Sequence, residues 1–235
     1  MTDRSNEISP NPKPKSLGMA IAIRFILLFP VLGLMFFLPA WTLNYWQAWL
    51  YIFIVAVPAI FIARYLYKND RALLERRMRM KERLQGQKLI VTTSWIFFLA
   101  TFLIPGFDFR FHWSEMPLAV VIISEALVLV GYLIVAFVFK ANTYASRIIE
   151  VEKDQKVITS GPYAIVRHPM YFGVLIFYIF SPLALGSYWA VIPALCIVPF
   201  IIARIKGEEK ELLENLGGYM DYTLKTRYRL LPGIW

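Results

Sequence analysis

Arg167-His168-Pro169-Met170-Tyr171 closes a polar, aromatic run that opens at Gly161-Pro162-Tyr163 and stops where a long apolar segment begins. A second polar cluster, Arg204-Ile205-Lys206-Gly207-Glu208-Glu209, stands where that apolar segment ends. Two polar elements tethered by an intramembrane hairpin can meet on one membrane face, which places a reaction site at the water–lipid boundary. Pro169 suits a first helical position, and the unpaired backbone N–H groups of that helix start can bind a carboxylate or phosphate. Arg167 can add a charged hydrogen bond to such an anion; its plainer role is to anchor the chain on the basic side of the membrane. His168, a type of residue more often structural when it stands alone, gains a site role from its place between Arg167 and Pro169. Glu208 lies one turn beyond Arg204, where a carboxylate can grip an ammonium, a ribose hydroxyl pair or a sulfonium. Arg204 can orient an anionic substrate group. Acidic residues contribute little to topology, so insertion does not explain Glu208 and Glu209. Glu211 and Glu214 read as the solvated face of an amphipathic helix, Gly207–Leu216, with Leu212, Leu213 and Leu216 on its apolar side. Tyr163, Tyr171, Tyr219 and Tyr222 offer rings for an adenine or a cation, worth ~0.5–2 kcal/mol for a cation–π contact.

Other chemistries lack parts. The chain has no GxSxG nucleophile elbow, no P-loop and no GxGxxG opening a βαβ unit, and no HExxH or cysteine cluster. Its two histidines, His112 and His168, do not make a zinc or di-iron site, so no metal is expected. The one cysteine, Cys196, excludes an intrachain disulfide. What remains is group transfer from a bound, already activated cofactor, which needs proximity and orientation more than acid–base groups.

The elements that must position these residues are membrane helices. The 235 residues are 58% hydrophobic with mean hydropathy +0.55, above the roughly one-half apolar share of soluble domains. The excess sits in runs long enough to span a bilayer, which takes ~20 residues: Leu17–Ala40, Tyr45–Leu66, Leu89–Phe107 and Pro117–Phe139. Phe172–Ile205 is too long for one span and breaks near Ser181-Pro182 and Gly186-Ser187. It reads as a hairpin of Phe172–Leu185, short and proline-bearing, and Tyr188–Ile205. Pro30, Pro58 and Pro193 are expected to kink their helices. The fold class is therefore all-α integral membrane, with about five to six transmembrane helices and a cytosolic C-terminal cofactor-binding segment. Residues 1–16 read as a disordered tail, and the apolar run after them is too long for a signal peptide. Residues 17–140 hold four spans and a basic cytosolic loop, 67–88. Residues 141–235 hold the catalytic region.

The net charge of +9 lies between the spans, which favours anionic headgroups as partners and argues against nucleic acid. Lys68, Arg71, Arg76, Arg77, Arg79, Lys81, Arg83 and Lys88 crowd the loop after the second span. The positive-inside rule then makes that loop, both termini and both polar clusters cytoplasmic. Leu73–Leu84 reads as a basic interfacial helix, or as a charged loop that only sets topology. Trp41, Tyr45, Trp46, Trp49 and Trp113 fit interfacial belts.

Thr159-Ser160-Gly161-Pro162-Tyr163 through Arg167-His168-Pro169-Met170-Tyr171, then Glu208-Glu209, then Tyr219 and Tyr222, resembles the isoprenylcysteine carboxyl methyltransferase family over roughly Asn142–Trp235. Membrane methyltransferases acting on phospholipid amino groups look similar. The resemblance implies S-adenosylmethionine as donor, in a cytosol-facing pocket closed by the C-terminal segment. It implies a lining of Gln155, Lys156, Val157 and Ile158, largely through backbone, with Tyr163, His168, Pro169, Met170 and Tyr171. Glu208, with Glu209 beside it, would hold the donor from the opposite side. Glu150 is a further match, at a spacing to Gln155 that differs from the eukaryotic pattern. Arg204 matches the substrate-contacting arginine and, with Arg167, is expected to be catalytic. A lipid-borne nucleophile would enter sideways from the bilayer and attack the methyl in line, with no covalent intermediate. An isoprenylcysteine-type carboxylate, a phospholipid amine and a small lipophilic thiol or acid all suit that route. Membrane sterol reductases, which use NADPH, resemble the same region; Arg227 and Arg229 would then meet the 2′-phosphate. A non-catalytic lipid-binding or scaffold protein is the third reading.

Overall fold

The computed structural model describes residues 14–78, 85–145, 151–152 and 154–235. Among them every regular element is helical: α1 (Pro14–Ala40), α2 (Trp46–Asn69), α3 (Arg71–Met78), α4 (Gln85–Phe111), α5 (Leu118–Ala141), a short 3₁₀ turn (Gly161–Ala164), α6 (Pro169–Ala184), α7 (Val191–Cys196), α8 (Val198–Asn215) and α9 (Tyr219–Lys225). Glu150, Arg79, Lys81, Arg83, the second half of the expected Leu73–Leu84 helix and most of the expected N-terminal tail lie outside the described residues.

Among the described residues four helices are long and apolar enough to cross a membrane: Leu17–Ala40, Trp46–Asn69, Leu89–Phe111 and Leu118–Ala141. Hydrocarbon offers no partner to a bare peptide group, so a run of this composition must satisfy its backbone within its own helix. Large apolar side chains such as Ile26, Phe61 and Ile96 are about two-thirds exposed, as a lipid-facing surface requires. The chain is an integral, multi-pass membrane protein. Beyond these four, α6 is apolar but only 16 residues long.

The expected sixth span, Tyr188–Ile205, is not one helix. It divides into α7 and α8 at Ile197, where Pro199 has no N–H to give to the carbonyl four residues before it. In turn, the separate amphipathic helix expected over Gly207–Leu216 is the continuation of α8. A lone glycine costs a helix interior only ~1 kcal/mol, too little to stop it. Arg204, Glu208 and Glu209 therefore ride on one rigid rod, with Arg204 and Glu208 four residues apart on one face. Leu213, expected on the apolar side, is exposed.

The site-bearing α6 is fixed against α5 by two glycines. A Cβ on Gly131 would stand 2.7 Å from the Gly173 carbonyl oxygen, and one on Gly173 would stand 2.8 Å from that of Gly131. The backbones touch, as small residues permit in membrane packing. Gly173→Ala is expected to cost ~1–3 kcal/mol, the usual penalty of overpacking, because the obstacle is backbone and cannot turn aside. Thermal unfolding in detergent checks this against Gly33→Ala, whose Cβ would meet the Phe37 ring at an ordinary 3.9 Å and which should not lower stability, since alanine is the better helix former by up to ~1 kcal/mol. At the other end of α6, Asp108 of α4 accepts from the Ser114 N–H (2.7 Å) and from the Ser114 and Ser187 hydroxyls (2.7 and 2.5 Å). The Tyr45 hydroxyl donates to the Leu185 carbonyl. The hairpin is thus tied at the end opposite its polar clusters.

Candidate active site

Pro169 opens α6, with His168 as its N-cap, as its fixed φ favours. The two backbone donors just before it are already used: Arg167 N–H bonds the Tyr228 carbonyl (2.9 Å) and His168 N–H the Arg229 carbonyl (2.8 Å). At these two residues the expected anion-binding backbone instead pairs with the C-terminal segment.

Arg167 and Glu209 form a buried ion pair. Arg167 Nε donates to Glu209 Oε1 at 2.6 Å, and its Nη1 donates to the Thr226 and Arg227 carbonyls at 2.9 and 2.7 Å. Glu209 Oε2 accepts from Arg229 Nε at 2.5 Å, and His168 Nε2 lies 3.3 Å from Glu209 Oε1. Glu209 is 5% exposed. Arg167 thus directs its Nε and Nη1 to Glu209 and the C-terminal carbonyls, and the Glu209 carboxylate, expected beside the donor, points into this network. Burial pushes the Glu209 carboxyl up, but the bonds from His168, Arg167 and Arg229 outweigh it and hold it at about 2. An acid held below its ordinary value near 4.5 stabilises the fold above that value and ceases to as pH falls from about 4.5 towards 2. The melting temperature should therefore fall through that window, and Glu209→Gln should remove this part of the slope.

Glu208, one residue earlier, faces the other way. Its Oε2 accepts from the Tyr171 hydroxyl at 2.8 Å, and that hydroxyl accepts from Arg204 Nε at 3.2 Å. The two polar clusters meet through Tyr171. Around this chain lies a cleft lined by Gln155, Lys156, Val157, Ile158, Tyr163, Arg167, His168, Pro169, Met170, Tyr171, Arg204 and Glu208. Every expected site residue is thus brought there except Glu209, which turns away, and Glu150.

Tyr219 and Tyr222 also line the cleft. Gly218 turns the chain back under it with φ of 81°, a left-handed conformation that glycine adopts at no steric cost. Tyr222 donates to the Tyr163 carbonyl at 2.7 Å, and burial pushes its own hydroxyl up to about 12. The Tyr219 hydroxyl is buried and has no hydrogen-bond partner among the described residues. Burial first, then the charges of Glu209 and Glu208, raise its pKa, so it remains a neutral donor.

Several lining residues escaped the sequence reading. Asn142 donates to the Tyr163 hydroxyl at 2.8 Å and accepts from the Tyr144 N–H at 2.8 Å. Glu211, read as part of a solvated face, lines the cleft with Leu212 and Leu216; its place three residues after Glu208 was the available signal. The strand of chain carrying Gln155–Ile158 is held from α3. Arg76 grips both Glu152 carboxylate oxygens (2.7 and 2.5 Å) and the Thr143 carbonyl (3.1 Å). Glu152 and Gln155 then bond each other, N–H to side-chain oxygen at 3.1 Å and N–H to carbonyl at 3.0 Å. Arg229, which the reductase alternative would set against a 2′-phosphate, donates from Nε to Glu209 and lies over the Trp235 ring.

Fold and site define a class: a helical multi-pass membrane protein with a polar, tyrosine-rich cleft where the last long helices end. The model of the isoprenylcysteine carboxyl methyltransferase (ICMT) family matches residues 119–214, from α5 through nearly all of α8. Of the residues that carry the resemblance, Thr159–Tyr171 and Glu208–Glu209 fall within that stretch, and Tyr219 and Tyr222 lie beyond it. The protein-S-isoprenylcysteine O-methyltransferase of Tribolium castaneum is 31% identical over 146 residues, which cover 57% of this chain and 47% of that protein. The chain spans about half the length of this curated relative. The solved structure of the eukaryotic intramembrane Ras methyltransferase ICMT, without a monobody, aligns over 91% of this chain and 86% of its own at 21% identity, with a TM-score of 0.47.

Proposed function

We propose that the protein transfers a methyl group from S-adenosylmethionine to a lipophilic acceptor taken from the bilayer, with an isoprenylcysteine-type carboxylate as the first candidate. The observation that carries this is the Arg204–Tyr171–Glu208 chain, which sets a cation and an anion side by side on one cleft wall. The residues fit the donor. Lys156 suits its carboxylate, and Glu208 or Glu211 its ammonium or ribose hydroxyls. The tyrosine rings suit adenine and sulfonium. The unpartnered Tyr219 hydroxyl has a hydrogen bond to give. When bound, S-adenosylmethionine supplies an activated methyl; the protein's own work is placement. Arg204 orients an anionic acceptor group, Glu208 fixes the donor's position, and the apolar side chains around them exclude water, which strengthens both contacts. Arg167, Glu209 and Arg229 hold the C-terminal segment against α6 so that the cleft keeps its shape.

In this reading α6 and the α7–α8 unit complete five to six spans, and residues 141–235 carry the catalysis on the scaffold of 17–140. The basic loop turns the cleft and both termini to the cytoplasm, where a water-soluble donor reaches it. Arg76 acts through the loop it grips. Arg76→Ala should weaken donor binding by about tenfold, equivalent to ~1.4 kcal/mol, with little change in unfolding.

Calorimetry on the detergent-purified protein tests the function, with S-adenosylhomocysteine and NADPH titrated in parallel. Saturable binding of S-adenosylhomocysteine alone is expected. Binding of NADPH alone would assign the protein to reductase chemistry.

A further inference from the structure

A second concavity lies outside the cleft and shares no lining residue with it. It is a groove between α1, α2, α3 and α5, walled by aliphatic and aromatic side chains such as Leu28, Ile62 and Ala63. Among the described residues its charged lining is Arg24 and Arg77. Arg24 donates from Nη2 to the Met78 carbonyl at 3.2 Å and is exposed. Arg77 lies over the Phe139 ring, 4.8 Å from its centroid, with Nη1 3.8 Å from Met170 Sδ.

We infer that this groove binds one anionic glycerophospholipid of the surrounding bilayer, its acyl chain along α1 and α2 and its headgroup between Arg24 and Arg77. The bilayer is the source because the walls run into lipid-facing residues of α2, where Ile60 and Phe61 are exposed. The headgroup is anionic because an apolar groove with two guanidiniums at one end complements an amphiphile of opposite charge. The Arg24 guanidinium carries five N–H donors, more than the Met78 carbonyl takes, and a guanidinium matches phosphate in geometry. The occupant is not the methyl acceptor, because Arg77 and Phe139 stand between the groove and Met170 of the cleft. Arg77 thereby becomes a shared wall: one side meets the lipid, the other the Met170 sulfur beside the proposed donor. The inference does not depend on the methyltransferase reading, since lipid retention is measured without any donor.

Native mass spectrometry of the full chain tests it, on protein purified in detergent with equal phosphatidylglycerol and phosphatidylcholine of matched acyl chains. Retention of one phosphatidylglycerol in preference to phosphatidylcholine is expected. Arg24→Gln and Arg77→Gln should each lower that preference roughly fivefold, the equivalent of ~1 kcal/mol per basic residue. Ala63→Phe, which leaves both arginines and fills the trough, should lower total retention. Arg71→Gln, on the same basic helix but outside the groove, should change nothing. Equal retention of the two lipids would overturn the inference. So would full retention in Arg24→Gln, or a loss in Arg71→Gln as large as in the groove variants. Displacement of the lipid by a prenylated cysteine carboxylate would overturn it too, giving the groove to the acceptor.

Discussion

Replacing Glu209 with alanine unfolds the C-terminal half of the site rather than removing a ligand contact. Glu209 is the shared anion for Arg167, Arg229 and His168, and both it and Arg167 are buried. A buried pair is not strong evidence of stability in itself, because desolvation cancels much of the attraction, but losing one partner strands a charge at a cost of ~3–5 kcal/mol. The alanine variant should therefore lose that much in thermal or denaturant unfolding, together with the packing of Thr226–Arg229 against α6. Glu209→Gln keeps an acceptor and loses the charge, so it should fall between. The double variant Arg167→Met, Glu209→Leu removes the stranded guanidinium and should recover most of the loss, since apolar replacement of a whole buried pair is often neutral. If single and double variants unfold alike, the pair is not what holds the segment. Alanine at Lys210, whose pairing with Glu214 at 3.9 Å is largely exposed, should change nothing, as exposed pairs are worth little.

The same residues show where reading the sequence stops. The four long helices were legible because a bilayer demands some twenty apolar residues and the backbone rule allows little else. The meeting of the two polar clusters was legible because a hairpin returns its ends to one face. The division of labour between Glu208 and Glu209 was not. Neighbours on a helix point about 100° apart, so two adjacent identical residues necessarily face different surroundings. Which one faced the cleft depended on the phase of α8, and that phase was hidden by treating Gly207 as a helix boundary. Arg167 and Arg204 posed the same problem: they flank one apolar segment, and nothing local to Arg167 foretold its bonds to the distant carbonyls of Thr226 and Arg227. Arg76 was read as one basic residue among many in a topology-setting loop. Its bond to Glu152, 76 positions later, had no local signature.

Replacing Glu208 with alanine should have the opposite profile: a folded protein that no longer binds donor. Glu208 is only half-buried and accepts from the Tyr171 hydroxyl at 2.8 Å, so its removal strands no carboxylate contact in the deep core. Unfolding should shift by less than ~1 kcal/mol, since Tyr171 keeps its contact with Arg204. A charge-assisted hydrogen bond is worth ~1.5–3 kcal/mol, so S-adenosylhomocysteine affinity should drop by about tenfold to a hundredfold or more. Glu208→Gln should retain part of it. Arg204→Lys separates the two partners of Tyr171. It keeps a cation but loses the planar fork that orients a carboxylate, so it should lower turnover with a given acceptor and leave donor affinity near that of the unaltered protein. Tyr171→Phe breaks the link between them and should affect both, each by less than the direct substitution. Donor affinity unchanged in Glu208→Ala would remove the carboxylate from the donor site. The cleft would then need Glu211, on the same face of α8, as its anion.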